Sequence, residues 1–223
     1  MFASDFERVY ESTYGQSVGA SLLTQYRMAP NIGRLVSDCF YDKRPKTGRG
    51  LSPAYYSVFP DCMSQEVTWV DTASAQNARE KHSDNRDEYW NDGEARVVMV
   101  LLQHIVESEG FLEKIRGDLQ PGEPAIGIIC MYSKQRDILD GLKSTASWLG
   151  DARRLVKIDT VDSHQGKENR IVILSTVCID RPGFSKKFNR INVGLSRAME
   201  RVFIVGPPSF GKGATRTIRS ALS

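Results

Sequence analysis

The chain is poor in residues that hold metals or cross-link a fold. It has three histidines and four cysteines. Cys39, Cys62, Cys130 and Cys178 lie far apart, and none stands in a C-x-x-C pair. With the histidines equally scattered, this argues against a structural zinc site, which needs clustered ligands. Cys130 and Cys178 fall inside apolar runs and read as small core residues of an intracellular, cytoplasmic protein in a reducing compartment. No apolar stretch approaches the roughly 20 residues of a membrane-crossing helix. The opening MFASDFERVYES has neither a basic flank nor an apolar segment, so it is not a secretory signal. Internal repeats and low-complexity tracts are also missing. What remains is ordinary for a globular chain: 223 residues, 40% hydrophobic and 26% charged, enough for one large domain or two small ones. A large net charge is missing too, but the value of +3 conceals an asymmetry. Residues 1–125 sum to −6 and residues 126–223 to +9. The basic half suits an anionic partner, nucleotide or nucleic acid, although a solvated surface explains charge alone equally well.

The hydrophobic pattern predicts alternating helices and strands. Asp5 to Tyr14 reads as a helix with Phe6, Val9 and Tyr10 on one side. SLLTQYRM is extended. Pro30 suits the first turn of a helix that runs through Ile32, Leu35, Val36, Phe40 and Tyr41. Residues 42–66 read as a long loop, VTWVDT (67–72) as a strand, and residues 73–91 as a polar, mobile loop. Asn91 with Glu94 resembles a capping box opening a helix through Ala95, Val98, Leu102 and Ile105. IGIICMY (126–132) is a continuous apolar run, as in a strand buried on both faces. Ser133 is placed to cap the helix that follows. LVKIDTV, RIVILSTV and RVFIVG are three more strands, with a helix over residues 192–199 between the last two. The expectation is one α/β domain with a mostly parallel sheet, its ligands at loops beyond the strand carboxyl ends.

Three segments carry candidate chemistry. In VDSHQGKENRIVILSTV (161–177), Gly166 permits close backbone approach and Glu168 can accept from a sugar hydroxyl. Thr160, Ser163, His164 and Gln165 can donate to phosphate. The same cluster also serves as a polar turn before a core strand. In NRINVGLSRAMERVFIVG (189–206), Arg190 and Arg197 are seven apart, two helical turns, and so share a face. An Arg at a cleft can stabilise charge on a transferring phosphate, whereas a single surface Arg more often forms a weak ion pair. In QYRMAP (25–30), Tyr26 can stack a base and Arg27 can reach a phosphate, or the pair is simply a packed Tyr beside a solvated Arg.

Together LLTQYRMAPNIG, IGIICMYSKQR, TVDSHQGKENRIVILS and RINVGLSRA resemble the superfamily 1 helicases. The likeness is to the group containing the helicase of nonsense-mediated mRNA decay, and to its second, C-terminal RecA-like motor domain only. It covers nearly all of residues 1–207. The resemblance implies a RecA-like fold and an ATP-dependent DNA or RNA helicase acting 5′ to 3′. Gln25 and Tyr26 would bind the nucleotide, Tyr26 by stacking on adenine. Glu168 would hold the ribose, with Gly166 close by. Arg27 and Arg197 would reach the γ-phosphate as arginine fingers. Ser133, Thr160 and His164 would meet single-stranded nucleic acid, and Gln135 would orient the loop after the buried strand. The chain departs from the family's pattern at Ala29, often His there. It departs again at Cys130-Met131, where the family often has a Thr-Pro whose Thr helps bind a nucleic-acid phosphate. Ser196 in place of Thr is a mild change.

The resemblance also implies a partner. The phosphate loop and the acidic Mg²⁺ motif of such motors belong to a first RecA-like domain preceding QYRM. GPPSFGKG (206–213) imitates a phosphate loop, G-x-x-x-x-G-K-[ST]. Pro207 and Pro208 remove two backbone donors that a phosphate cradle needs, and Gly213 stands where a Mg²⁺-binding hydroxyl belongs. This stretch reads instead as the turn after the last strand, leading into a basic tail (208–223). The expected protein is half of a motor, inactive as an ATPase alone, binding ATP with Mg²⁺ only together with the first domain. The rival readings are a stand-alone nucleic-acid-binding module, a small NTPase using GPPSFGKG, and a motor fused to another effector.

Overall fold

The computed structural model describes residues 5–20, 22–57, 61–83, 88–120, 122–177 and 184–207. In chain order the elements are α1 (Asp5–Glu11), α2 (Thr13–Val18), β1 (Thr24–Gln25), α3 (Pro30–Phe40), β2 (Lys46–Thr47), β3 (Val67–Asp71), β4 (Lys81–His82), β5 (Tyr89–Trp90), α4 (Asp92–Val106), α5 (Phe111–Gly117), β6 (Ile126–Cys130), α6 (Ser133–Thr145), β7 (Val156–Thr160), β8 (Asn169–Ser175), α7 (Phe184–Leu195) and β9 (Ala198–Gly206). Short 3-10 turns lie at Ala54–Ser57, Asp61–Met63 and Ser147–Leu155.

Five parallel strands form the central sheet in the order β3-β9-β8-β6-β7. Their side chains alternate between two layers, as the two-residue period of a strand requires. Ile126, Ile128, Ile171, Ile173, Phe203 and Val205 pack with α4, α5 and α6. Ile129, Val172, Leu174, Val202 and Ile204 pack with α3 and α7 on the other face. Covering both faces explains why these strands read as unbroken apolar runs. This is the RecA-like α/β class.

The structure corrects several local expectations. The first helix is two, because Ser12 takes an extended conformation and its hydroxyl accepts from the Gly15 N–H to start α2. The 42–66 segment contains β2, which pairs in parallel with β1. The 73–91 segment contains β4 and β5, an antiparallel pair, and Asn77 accepts the Gly93 N–H at 3.2 Å. Ser133 is the first residue of α6, not its cap, and Tyr132 caps without a side-chain bond. The helix placed at 192–199 starts at Phe184 and ends at Leu195. Met199 therefore lies in β9, and Arg197 sits in the turn between. Arg190 and Arg197 consequently share no helix face. The expected basic tail 208–223 and Cys178 lie outside the described residues. No disulfide joins Cys39, Cys62 and Cys130. No described helix is long and apolar enough to cross a membrane.

Candidate functional site

Two groups of side chains form, at opposite ends of the sheet. The first gathers around the amino ends of β8 and β9. Gln25 folds the QYRM turn onto itself: its amide oxygen accepts from the N–H groups of Arg27 (3.0 Å) and Met28 (2.8 Å), and its amide nitrogen donates to Met28 O and Thr47 Oγ1. Ala29 N–H then joins Met199 O at 2.8 Å, anchoring the turn to β9. Tyr26 is 70% exposed. Its ring lies over Gly48, where a Cβ would stand 2.7 Å from the ring Cζ and from Thr24 Cγ2.

Arg27 crosses to the segment before β8, its Nε donating to Glu168 Oε2 at 2.5 Å and its terminal nitrogen to Ser196 O at 3.2 Å. Arg197 donates to Val193 O at 3.1 Å and Lys167 O at 3.4 Å. Burial, then the neighbouring Arg27, lowers the Arg197 pKa, opposed by Glu168. Arg27, Glu168 and Arg197 thus come together from three segments: Arg27 bonds the carboxylate, while Arg197 is held by backbone carbonyls and feels Glu168 only through its charge. The surplus positive charge and the exposed ring beside it suit an anion carrying an aromatic group. Gly166, at φ +85°, permits the reversal just before Lys167 and Glu168.

Arg49 belongs to this group and escaped the sequence reading. It donates to Arg27 O at 2.6 Å and Met199 O at 2.8 Å, and pairs with Glu200. It braces the backbone from which Arg27 projects. Its partners are 22 and 150 residues away, so no local pattern marks it.

The second group lies at the carboxyl ends of β6, β7 and β8, whose last residues Cys130, Thr160 and Ser175 are in register. Thr160 Oγ1 donates to Ser163 Oγ at 3.0 Å and accepts from Ser163 N–H at 3.3 Å. Ser133 is exposed at the start of α6. Arg190 ties this end together, donating to Met131 O at 2.7 Å and Asp162 at 2.9 Å. Gln135 is wholly buried, bonded to Asn91 and Ser175.

His164 is placed differently from its expectation. It is 1% exposed, with Nδ1 3.1 Å from Asp159 Oδ2 and Nε2 2.8 Å from Asn169 Oδ1. Both ring nitrogens are engaged inside the protein, so its side chain struts the loop between β7 and β8 and offers no nitrogen to a ligand. The general expectation for ligand loops is also only half met. Ser133 and Thr160 lie at strand carboxyl ends, but Glu168 and Arg197 immediately precede the first residues of β8 and β9, which pair as Asn169 and Ala198. Residues 161–168 run from one end of the sheet to the other, joining the two groups.

The chain thus carries a parallel RecA-like sheet with Arg27 and Arg197 near one end and the hydroxyls of Ser133, Thr160 and Ser163 near the other. The chain belongs to the family described as AAA domain, whose pattern matches residues 1–209. It is 31% identical over 212 residues to the helicase required for RNAi-mediated heterochromatin assembly 1 of Schizosaccharomyces pombe, covering 91% of this chain and 18% of that protein. It is 29% identical over 191 residues to helicase SEN1 of Saccharomyces cerevisiae, covering 82% and 8%. It is 27% identical over 198 residues to the ATP-dependent helicase upf1 of Schizosaccharomyces pombe, covering 84% and 19%. The chain is thus similar to superfamily 1 helicases and spans less than a fifth of the length of these curated relatives.

Proposed function

We propose that this chain is the second RecA-like motor domain of an ATP-dependent superfamily 1 helicase, working inside the cell on single-stranded DNA or RNA. The observation that carries the reading is the convergence of Arg27, Glu168 and Arg197, from segments up to 170 residues apart, with one carboxylate for two guanidiniums. Tyr26 would stack on the adenine of ATP, Glu168 would take the ribose hydroxyls, and Gln25 would hold the turn that presents them. Arg27 would exchange its bond to Glu168 for phosphate oxygens beside Arg197. Guanidiniums so placed neutralise charge that develops as the terminal phosphoryl transfers. Among the described residues no group of three or more His, Cys, Asp or Glu could hold a metal ion. Mg²⁺ ligands and the phosphate loop would come from a first RecA-like domain closing over this cluster. Ser133 and Thr160 would contact the nucleic-acid strand.

Two measurements on one preparation series test this. The chain alone should show no ATP turnover above background, and robust turnover from pure material would refute the half-motor reading. In the intact protein, Arg197→Ala should lower kcat by roughly a thousand-fold with nucleotide affinity nearly unchanged. An unchanged kcat would remove Arg197 from this role and leave a non-hydrolysing nucleic-acid-binding module as the better account.

A further inference from the structure

Three consecutive residues grip the QYRM turn. Thr47 Oγ1 accepts from Gln25 Nε2 at 2.8 Å, Gly48 N–H donates to Gln25 O at 2.9 Å, and Arg49 Nη1 donates to Arg27 O at 2.6 Å. Arg49 also reaches β9. The nitrogen that bonds Arg27 O donates to Met199 O at 2.8 Å as well, and the other terminal nitrogen takes the Glu200 carboxylate.

The part of β9 that it reaches is a bulge. β8 and β9 pair at Asn169–Ala198 and again at Ile171–Arg201, two steps along β8 against three along β9. A bulge leaves one residue out of the ladder and re-aims its neighbours. Here it falls at Met199 and Glu200. Met199 O accepts both the Ala29 N–H and the Arg49 guanidinium. Glu200 turns its carboxylate into the protein and is 1% exposed. Arg170 stands 3.9 Å from the oxygen that takes Arg49, and the second oxygen has no hydrogen-bond partner among the described residues. Replacing a buried ion pair by apolar residues of similar size is often neutral or stabilising, so stability alone gives little reason for this one. What the pair supplies is geometry. A guanidinium is a planar fork that holds several acceptors in fixed relation. The acceptors here are the backbone of Arg27 and the backbone two residues after Arg197.

We infer that Arg49 and Glu200 are positioning residues for the two arginines: by tying Arg27 O to Met199 O at the bulge, with Glu200 fixing the fork, they set the spacing between the QYRM turn and the chain that carries Arg197. The inference rests on the ATP reading above and adds two residues whose observed bonds lie within the protein.

The first test uses the full chain and needs no turnover. Nitrogen–proton correlation spectra follow the exchange of the Arg27 Nε–H, which its bond to Glu168 protects, with Arg27→Lys identifying the signal. Arg49→Lys keeps the charge and loses the fork, and should speed that exchange about threefold or more while the amides of β6 keep their protection. Unchanged exchange at Arg27, or equal loosening of β6, would overturn the inference whatever the activity. The second test is ATP turnover by the intact protein. Arg49→Lys should lower kcat about thirtyfold with the KM for ATP within about twofold. Glu200→Gln keeps the shape and one acceptor, should lower kcat about threefold, and reports on the pair even where Arg49→Lys fails to fold. In an Arg27→Ala background, Arg49→Lys should cost little more, because it acts through Arg27. A further full loss in that background would make Arg49 a general structural residue and overturn the inference. Parental kcat in Arg49→Lys, alongside a collapse in Arg197→Ala, would overturn it too and leave the ATP reading standing. Parental kcat in both Arg27→Ala and Arg197→Ala would overturn both.

Discussion

Burial pushes the Glu94 carboxyl up to about 7, partly offset by its hydrogen bonds from Ser175 and Val177. The Cys130 thiol on β6, itself raised by burial and then by Glu94, is the titratable neighbour facing it. A carboxyl whose folded pKa exceeds its unfolded value binds its proton more tightly in the folded state. Its contribution is therefore complete below an unfolded pKa of about 4.5 and is lost as pH rises through about 7. The stability difference between the parent and Glu94→Gln should fall by about 3 kcal/mol between those limits and stay flat above them. Urea unfolding of both proteins from pH 4.5 to 8 measures this, and a constant difference would place the ionised carboxylate in a far better solvated site. Glu94 also shows the limit of reading residues from sequence. Its N3 position explained it fully as a cap, and nothing local pointed to a partner 81 residues away. His164 failed in the opposite direction. A histidine in a polar cluster reads as a donor to phosphate, but acceptors five residues to either side, Asp159 and Asn169, claim both ring nitrogens.

At the scale of elements, the apolar runs made β6, β8 and β9 legible, because burial on both faces leaves few polar positions to interrupt them, while the edge strands β3 and β7 were read from shorter, partly polar runs. The α7 helix was legible only in its last turns. Its earlier part carries Phe184, Phe188 and Ile191 at helical spacing, a stripe obscured by the intervening Lys186, Lys187 and Arg190. The strands β1, β2, β4 and β5 have two residues each, too short for any period to appear. Motif order singled out Arg27, Glu168 and Arg197, which the fold brings near one another, whereas the brace Arg49 depends on contacts that only the fold creates. The close approach of β6 to the strut loop has a testable consequence. A Cβ at Gly127 would meet the Asn169 Cγ at 2.9 Å. Asn169 also donates to Pro124 O at 2.7 Å, so its side chain has little room to yield. Gly127→Ala should destabilise the chain by about 1–3 kcal/mol and loosen residues 161–168. Chemical denaturation combined with hydrogen exchange across that loop would show both effects, and an unchanged midpoint would mean that Asn169 can move at no cost.

For the molecule as a whole, the basic half supplies the strand ends assigned to nucleic acid, while the acidic half supplies α4 and α5. Neutralising about three phosphates of a single strand gives a log–log salt slope of about −2. Raising salt from 50 to 200 mM should then weaken oligonucleotide binding roughly 15-fold, as anisotropy titrations would show. A flat response would mean that contacts other than ion pairs carry the affinity. The order of strands carries a different kind of consequence. β3 is complete at residue 71, yet its sheet neighbour is β9, and its Trp69 indole bonds to Gly206 O across 137 residues. A ribosome adding about 5–20 residues per second leaves β3 waiting on the order of ten seconds for that neighbour to emerge. Through that interval Val67, Trp69 and Val70 have no strand beside them. A nascent chain stalled before residue 198 would hold this edge open to chaperones or to neighbouring chains.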